Sequence, residues 1–158
     1  MGGKPKVAFI GTGGTIASIG QTPLDIVDYG ATEVMLDAQG ILAKFPEVAE
    51  VADVIPVPCR AVPSSKICFP AWKELVLLCD GLVKEHPDLA GIVIGHGTAT
   101  LEETAYALNL AAKVGVPIVV VGSQRPASAL STDAGMNLVN AVRAAAALES
   151  RGRGVLVL

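Results

Sequence analysis

Val7-Ala-Phe-Ile-Gly-Thr-Gly-Gly-Thr15 carries four apolar residues straight into a glycine-rich turn. A short apolar run without alternation suits a strand buried on both faces, and the glycines mark its end. The same shape recurs along the chain. It is seen at residues 51–57, at 91–94 closed by Gly95, His96 and Gly97, at 117–121 before Gly122, and at 154–158. Between these runs the period changes. Trp72, Leu75, Val76, Cys79, Leu82 and Val83 repeat at three and four residues, which predicts a helix with one apolar face. Thr100-Leu-Glu-Glu103 has the form of a capping box, and Leu101, Ala105, Leu108 and Ala112 line one side of the helix it opens. Ser131 is placed to cap a further helix along which Met136, Val139, Val142 and Ala146 align. Strand and helix alternate, so the expected class is α/β: an open, mostly parallel sheet with right-handed crossovers and helices on both faces. The stretch from 18 to 40 has no firm period, holds Gly20, Pro23, Asp25, Asp28 and Gly30, and reads as a long loop. Loops of that length inside a domain often serve as lids or binding loops.

Composition narrows the function. Of 158 residues 51% are hydrophobic but only 4% aromatic, so Val, Ile, Leu and Ala build the core. The formal net charge is −3 and no Lys/Arg cluster occurs, which argues against nucleic acid as a partner. Cys59, Cys68 and Cys79 form no C-x-x-C pair, and His86 and His96 are the only histidines, so no metal site is expected. The cysteines read as small buried hydrophobes in a reducing compartment. The apolar start at 7–10 is too short for a secretory signal, and no run reaches transmembrane length. A cytoplasmic protein with no membrane partner is the expectation. The run at 154–158 reads as a strand that continues into a longer natural protein.

In an open parallel sheet, ligands bind beyond the carboxyl ends of the strands. Gly11-Thr-Gly-Gly-Thr15, Gly95-His-Gly-Thr98 and Gly122-Ser-Gln-Arg125 fall there, and Pro63-Ser-Ser65 follows the second strand. The hydroxyls of Thr12, Thr15, Ser64, Ser65 and Thr98 are candidates to face one crevice. A dinucleotide fingerprint fails because Ile16 stands where its third glycine belongs, and no G-x-x-x-x-G-K-[ST] loop is present. No G-x-S-x-G elbow exists either. His96, between two glycines, reads as a hydrogen-bonded structural residue. A threonine nucleophile remains, weak unless a relay activates it, and Tyr29 in the long loop is placed to supply one. On these residues alone, a threonine in a glycine turn is also an ordinary turn residue, and both readings stand.

Taken together the segments resemble the bacterial-type L-asparaginase family. Gly11-Thr-Gly-Gly-Thr-Ile-Ala-Ser18 looks like its first signature, and Gly95-His-Gly-Thr-Ala-Thr-Leu-Glu-Glu-Thr-Ala-Tyr106 like its second. Val119-Val-Val-Gly-Ser-Gln-Arg-Pro-Ala-Ser128 and Asp133-Ala-Gly-Met-Asn-Leu-Val-Asn-Ala141 resemble the strand and helix beyond. The resemblance implies a three-layer fold of Rossmann or flavodoxin type, residues 1–158 forming the N-terminal domain and a smaller C-terminal domain lying outside this sequence. It implies an amidohydrolase that converts asparagine to aspartate and ammonia through an acyl-threonine intermediate. Thr15 would be the nucleophile, Tyr29 its activator and Thr98 the second essential threonine. Ser64 would hold the substrate carboxylate, with Ser65, Gly97 and Ala99 completing the binding walls. No cofactor is implied. The partner is a small amide, asparagine or glutamine, and the natural form is a homo-oligomer, a tetramer by resemblance. Three departures stand out. Ala99 replaces the family's aspartate, which receives the substrate ammonium. Pro63 and Ser65 replace a common glycine and glutamine. The family's catalytic lysine lies beyond the last strand seen. The alternative is a catalytically silent or differently specific homologue that binds an acidic amino acid or another amide.

Overall fold

Strand β1 (Lys6–Gly11) sits inside a five-stranded sheet of order β2-β1-β3-β4-β5, in the computed structural model of the chain, which describes residues 3–158. Its neighbours are β2 (Asp53–Val57) and β3 (Leu89–Gly95), followed outward by β4 (Ile118–Val121) and β5 (Val155–Val157). Every pairing is parallel. Helix α1 (Ala38–Lys44) precedes β2, α2 (Phe69–Glu85) precedes β3, α3 (Leu101–Ala111) precedes β4 and α4 (Ala134–Ala146) precedes β5. The expected α/β architecture is thus the observed one.

The strands are apolar throughout because each face meets helices. Val7 and Phe9 of β1 join Val93, Val119 and Val121 in a core closed by α1 and α4. Ala8 and Ile10 join Ile92, Ile94, Ile118 and Val120 in a second core closed by α2 and α3. Alternate side chains of one strand therefore enter different layers, as the period of two requires. Gly91 shows how closely a helix approaches: a Cβ there would lie 2.2 Å from the Ala145 carbonyl oxygen of α4. In α2, Leu75, Cys79 and Leu82 form the buried face that the spacing predicts.

Local expectations are corrected in several places. The second strand begins at Asp53, because residues 46–50 form a 3₁₀ turn that occupies the approach to it. The loop expected at 18–40 is broken by a 3₁₀ turn, Tyr29–Thr32, and by the start of α1, whose first turn is capped by the Asp37 carboxylate accepting from the Gly40 amide at 2.7 Å. No capping box forms at Thr100. Its hydroxyl donates instead to the Ser64 carbonyl at 2.9 Å, across to another loop. Helix α4 starts after Asp133, not at Ser131, whose hydroxyl accepts from the Arg125 guanidinium. Asp133 accepts from the Gln124 and Arg125 amides at 2.9 and 3.0 Å and from Asn137 at 3.0 Å. Partial burial pushes its carboxyl up, but these donors outweigh burial and hold it below the usual range. Met136 is 63% exposed, since Leu138, Ala141 and Ala145 share the inward face with Val139 and Val142. Of the cysteines only Cys79 is fully buried, its thiol pushed up to about 12 by burial and by Asp80. Cys68 is exposed ahead of α2, and Cys59 is half-buried. No helix among the described residues is long and apolar enough to cross a membrane.

Candidate active site

The strand order reverses between β1 and β3: the chain runs from β1 to β2 on one side and resumes at β3 on the other. Loops leaving neighbouring strands diverge at such a switch, and a crevice opens at their carboxyl ends. A hollow of about 710 Å³ lies there, lined by Thr15 after β1, Ser64 and Ser65 after β2, and Gly97, Thr98 and Ala99 after β3. Tyr29, the last of the sequence candidates, also lines it. Thr15, Tyr29, Ser64, Ser65, Gly97, Thr98 and Ala99 therefore share one cavity, and of the expected residues only Thr12 is outside it.

Glycine makes the convergence sterically feasible. Gly13 and Gly14 have φ of +100° and +80°, a left-handed region that side chains disfavour. A Cβ on Gly14 would stand 2.2 Å from the Gly97 Cα, and one on Gly97 would stand 2.7 Å from the Ser64 Oγ. The loops after β1 and β3 touch through bare backbone, and the Ser64 side chain packs on Gly97, which brings Thr15 and Thr98 to the same space. Hydrogen bonds fasten them: Val62 donates from its amide to the Thr12 carbonyl at 2.9 Å, and Thr100 ties the β3 loop to Ser64.

Thr15 is half-buried and opens a short 3₁₀ turn, Thr15–Ala17. Its Oγ1 shares a 3.0 Å hydrogen bond with the Tyr29 hydroxyl. The long loop delivers Tyr29 because its base is pinned. Ile19 donates to the Val34 carbonyl at 3.0 Å, Leu36 to Ala17 at 2.8 Å, and the Gly20 amide to Ser128 Oγ at 2.8 Å. Ser64 is buried, whereas Ser65, Thr98 and Ala99 are exposed to the opening.

Thr12 does not join the group. It is buried, and its hydroxyl donates to the Gly95 carbonyl at 2.9 Å, stitching β1 to β3. The third glycine segment is elsewhere too: Ser123 donates to the Arg125 carbonyl at 2.8 Å, outside this hollow. His96 is fully buried beneath the floor. Its Nδ1 donates to the Gly97 carbonyl at 2.8 Å, so its Nε2 accepts from Thr104 Oγ1 at 2.9 Å, and Thr104 accepts from Trp72 Nε1 at 3.0 Å. Burial pushes the imidazole below its ordinary pKa, while the bond to Gly97 and the nearby Glu102 act the other way. The neutral ring is a brace, as the sequence suggested.

Three charged residues missed in the sequence also line the hollow: Glu33, Arg60 and Lys66. They lie in irregular segments where no periodicity distinguishes them from solvated surface charges. Glu33 has φ of 54° and ψ of 11°, the one left-handed non-glycine residue among those described. That conformation costs roughly 1–2 kcal/mol for a residue with a Cβ. No group of three or more His, Cys, Asp or Glu able to hold a metal is gathered among the described residues.

Known proteins resemble this chain over nearly its whole length. The chain is 39% identical over 155 residues to the glutaminase-asparaginase of Acinetobacter glutaminasificans, covering 98% of this chain and 46% of that protein. It is 39% identical over 154 residues to L-asparaginase 2 of Bacillus subtilis (strain 168), covering 98% of this chain and 40% of that protein. The crystal structure of a probable cytoplasmic L-asparaginase from Campylobacter jejuni superposes with a TM-score of 0.83 at 34% identity, over 98% of this chain and 45% of that one. The chain thus spans less than half the length of these relatives. Residues 6–158 match the family described as Asparaginase, N-terminal, and the chain belongs to that family.

Proposed function

We propose that the protein carrying this chain hydrolyses the side-chain amide of L-asparagine to L-aspartate and ammonia, with Thr15 as nucleophile. One observation carries the reading: the Thr15 hydroxyl, presented by a glycine turn at the sheet's switch point, is bonded to the Tyr29 hydroxyl at 3.0 Å in the hollow that Thr98 and Ser64 share. Thr15 Oγ1 attacks the amide carbon. Its proton passes through the Tyr29 hydroxyl to the departing nitrogen, so neutral ammonia leaves and an ester to Thr15 remains. Water, activated at Thr98, then cleaves that ester and returns the proton to Thr15. Hydroxyl and backbone donors around the turn stabilise the oxyanion, each worth about 3 kcal/mol in such sites. Ser64, with Ser65 and the Gly97 and Ala99 backbone, holds the carboxylate end. No cofactor takes part in these steps. Glutamine is the second substrate in view, since the Acinetobacter relative is named a glutaminase-asparaginase. A cytoplasmic homotetramer is the assembly proposed.

Ala99 keeps a second reading in play, because it places a methyl group where a carboxylate would face the substrate ammonium. A silent or differently specific homologue would bind an acidic amino acid or another amide without releasing ammonia from asparagine. Ammonia release from asparagine and glutamine by the full-length protein separates the two. Thr15→Ala is expected to abolish release while leaving circular dichroism and melting unchanged. An unchanged rate in that variant would remove Thr15 from the chemistry.

A further inference from the structure

The hollow is lined by charge of both signs on different loops. Arg60 and Lys66 lie on the segment after β2, and Glu33 follows the 3₁₀ turn that bears Tyr29. Among the lining residues Glu33 is the only carboxylate. Its side chain forms no ion pair among the described residues, where Lys6 with Asp88 is the pair recorded. Ala99, which also lines the hollow, contributes no charge. The Glu33 backbone is held left-handed at φ 54°, its amide donating to the Gly30 carbonyl at 3.2 Å. Strain of this kind gathers at ligand-binding positions. An α-amino acid carries an ammonium and a carboxylate on one carbon, so a site selective for it offers an acid to the first and hydrogen-bond donors or cations to the second.

We propose that Glu33 is the specificity-determining carboxylate that receives the α-ammonium of the amino-acid substrate, with Arg60 and Lys66 drawing the α-carboxylate. This rests on the amide-hydrolysis reading above and adds to it the recognition of a free amino acid in the absence of an acid at position 99. Because only residues 30–32 separate Glu33 from Tyr29, seating the ammonium on Glu33 also keeps Tyr29 beside Thr15.

The test contrasts asparagine with succinamate, the same amide without the ammonium, on the full-length protein. Losing a charge-assisted hydrogen bond weakens binding by about tenfold to a hundredfold. Glu33→Gln is therefore expected to raise KM for asparagine by about that factor and to leave KM for succinamate within about twofold. Equal changes for both amides, or none for asparagine, would overturn the proposal, because a merely structural role cannot tell the two apart. If the wild type turns over neither amide, it is the hydrolytic reading that fails. The same contrast is then read by calorimetry with aspartate and succinate, where Glu33→Gln must weaken aspartate alone for the proposal to stand.

Discussion

Tyr29 shows what a single side chain in an irregular loop decides. Its hydroxyl is the one side-chain partner of Thr15 Oγ1, and the loop's base is pinned on both sides of it. Proton transfer by a positioned group contributes about 10²–10⁴-fold to rate. Tyr29→Phe is expected to lower kcat by about 10²-fold or more and to change KM little, as measured by steady-state ammonia release. A comparable kcat would place the relay elsewhere. At this scale the sequence was only partly legible. Thr15 and Thr98 were readable because each follows an apolar strand through glycine, yet their roles came only from resemblance. Thr12 sits in the same kind of turn and points inward to Gly95 instead, a choice that backbone dihedrals make and composition does not. Thr100 does not cap its helix either, its hydroxyl being bonded across to the Ser64 carbonyl. Glu33, Arg60 and Lys66 were invisible, since a charge on a loop looks alike whether it faces a ligand or water.

Elements were more legible than residues. The strands could be read because burial on both faces leaves no room for polar alternation, and α2 because its apolar stripe is long. Helix α1 escaped notice: seven residues, a glycine within its first turns, and only Ala38 and Ile41 buried give too weak a period. Its cap at Asp37 was the available signal. The contact between β3 and α4 depends on one missing methyl group. Gly91→Ala would place Cβ 2.2 Å from the Ala145 carbonyl, on backbone that cannot rotate away. Overpacking of this kind costs about 1–3 kcal/mol. Urea unfolding is expected to show a free energy lower by that amount, seen as a lower midpoint at unchanged slope. An unaltered midpoint would mean that the helix shifts freely.

At the scale of the whole molecule, His96 links stability to pH. It is buried neutral where β3 meets α2 and α3 through Thr104 and Trp72, and burial holds its pKa below the ordinary value near 6.5. The unfolded chain therefore binds this proton more readily than the folded one. Stability is fully present above about pH 6.5 and falls as pH drops below it toward the depressed folded value. The depressed carboxyls of Asp88 and Asp133 act only further down, below their ordinary value of 3.8. Denaturation midpoints are expected to decline between about pH 7 and pH 5, and His96→Gln to flatten that decline. An equal slope in the variant would assign the effect to other groups. The overall architecture was readable because alternating strands and helices admit few parallel topologies, and the glycine segments after the strands marked the end of the sheet where the hollow lies; the reversal in strand order that opens it appears only in the structure.

The bare crossing of Gly14 over Gly97 has an evolutionary corollary. Hydrogen is the smallest substituent there is, so no second-site change can make room for a larger neighbour at that junction. Variation in what the cleft accepts is thereby channelled to its movable rim, to the residues flanking Tyr29 and Ser64. Anyone wishing to change what the hollow binds should diversify those positions and leave the junction alone.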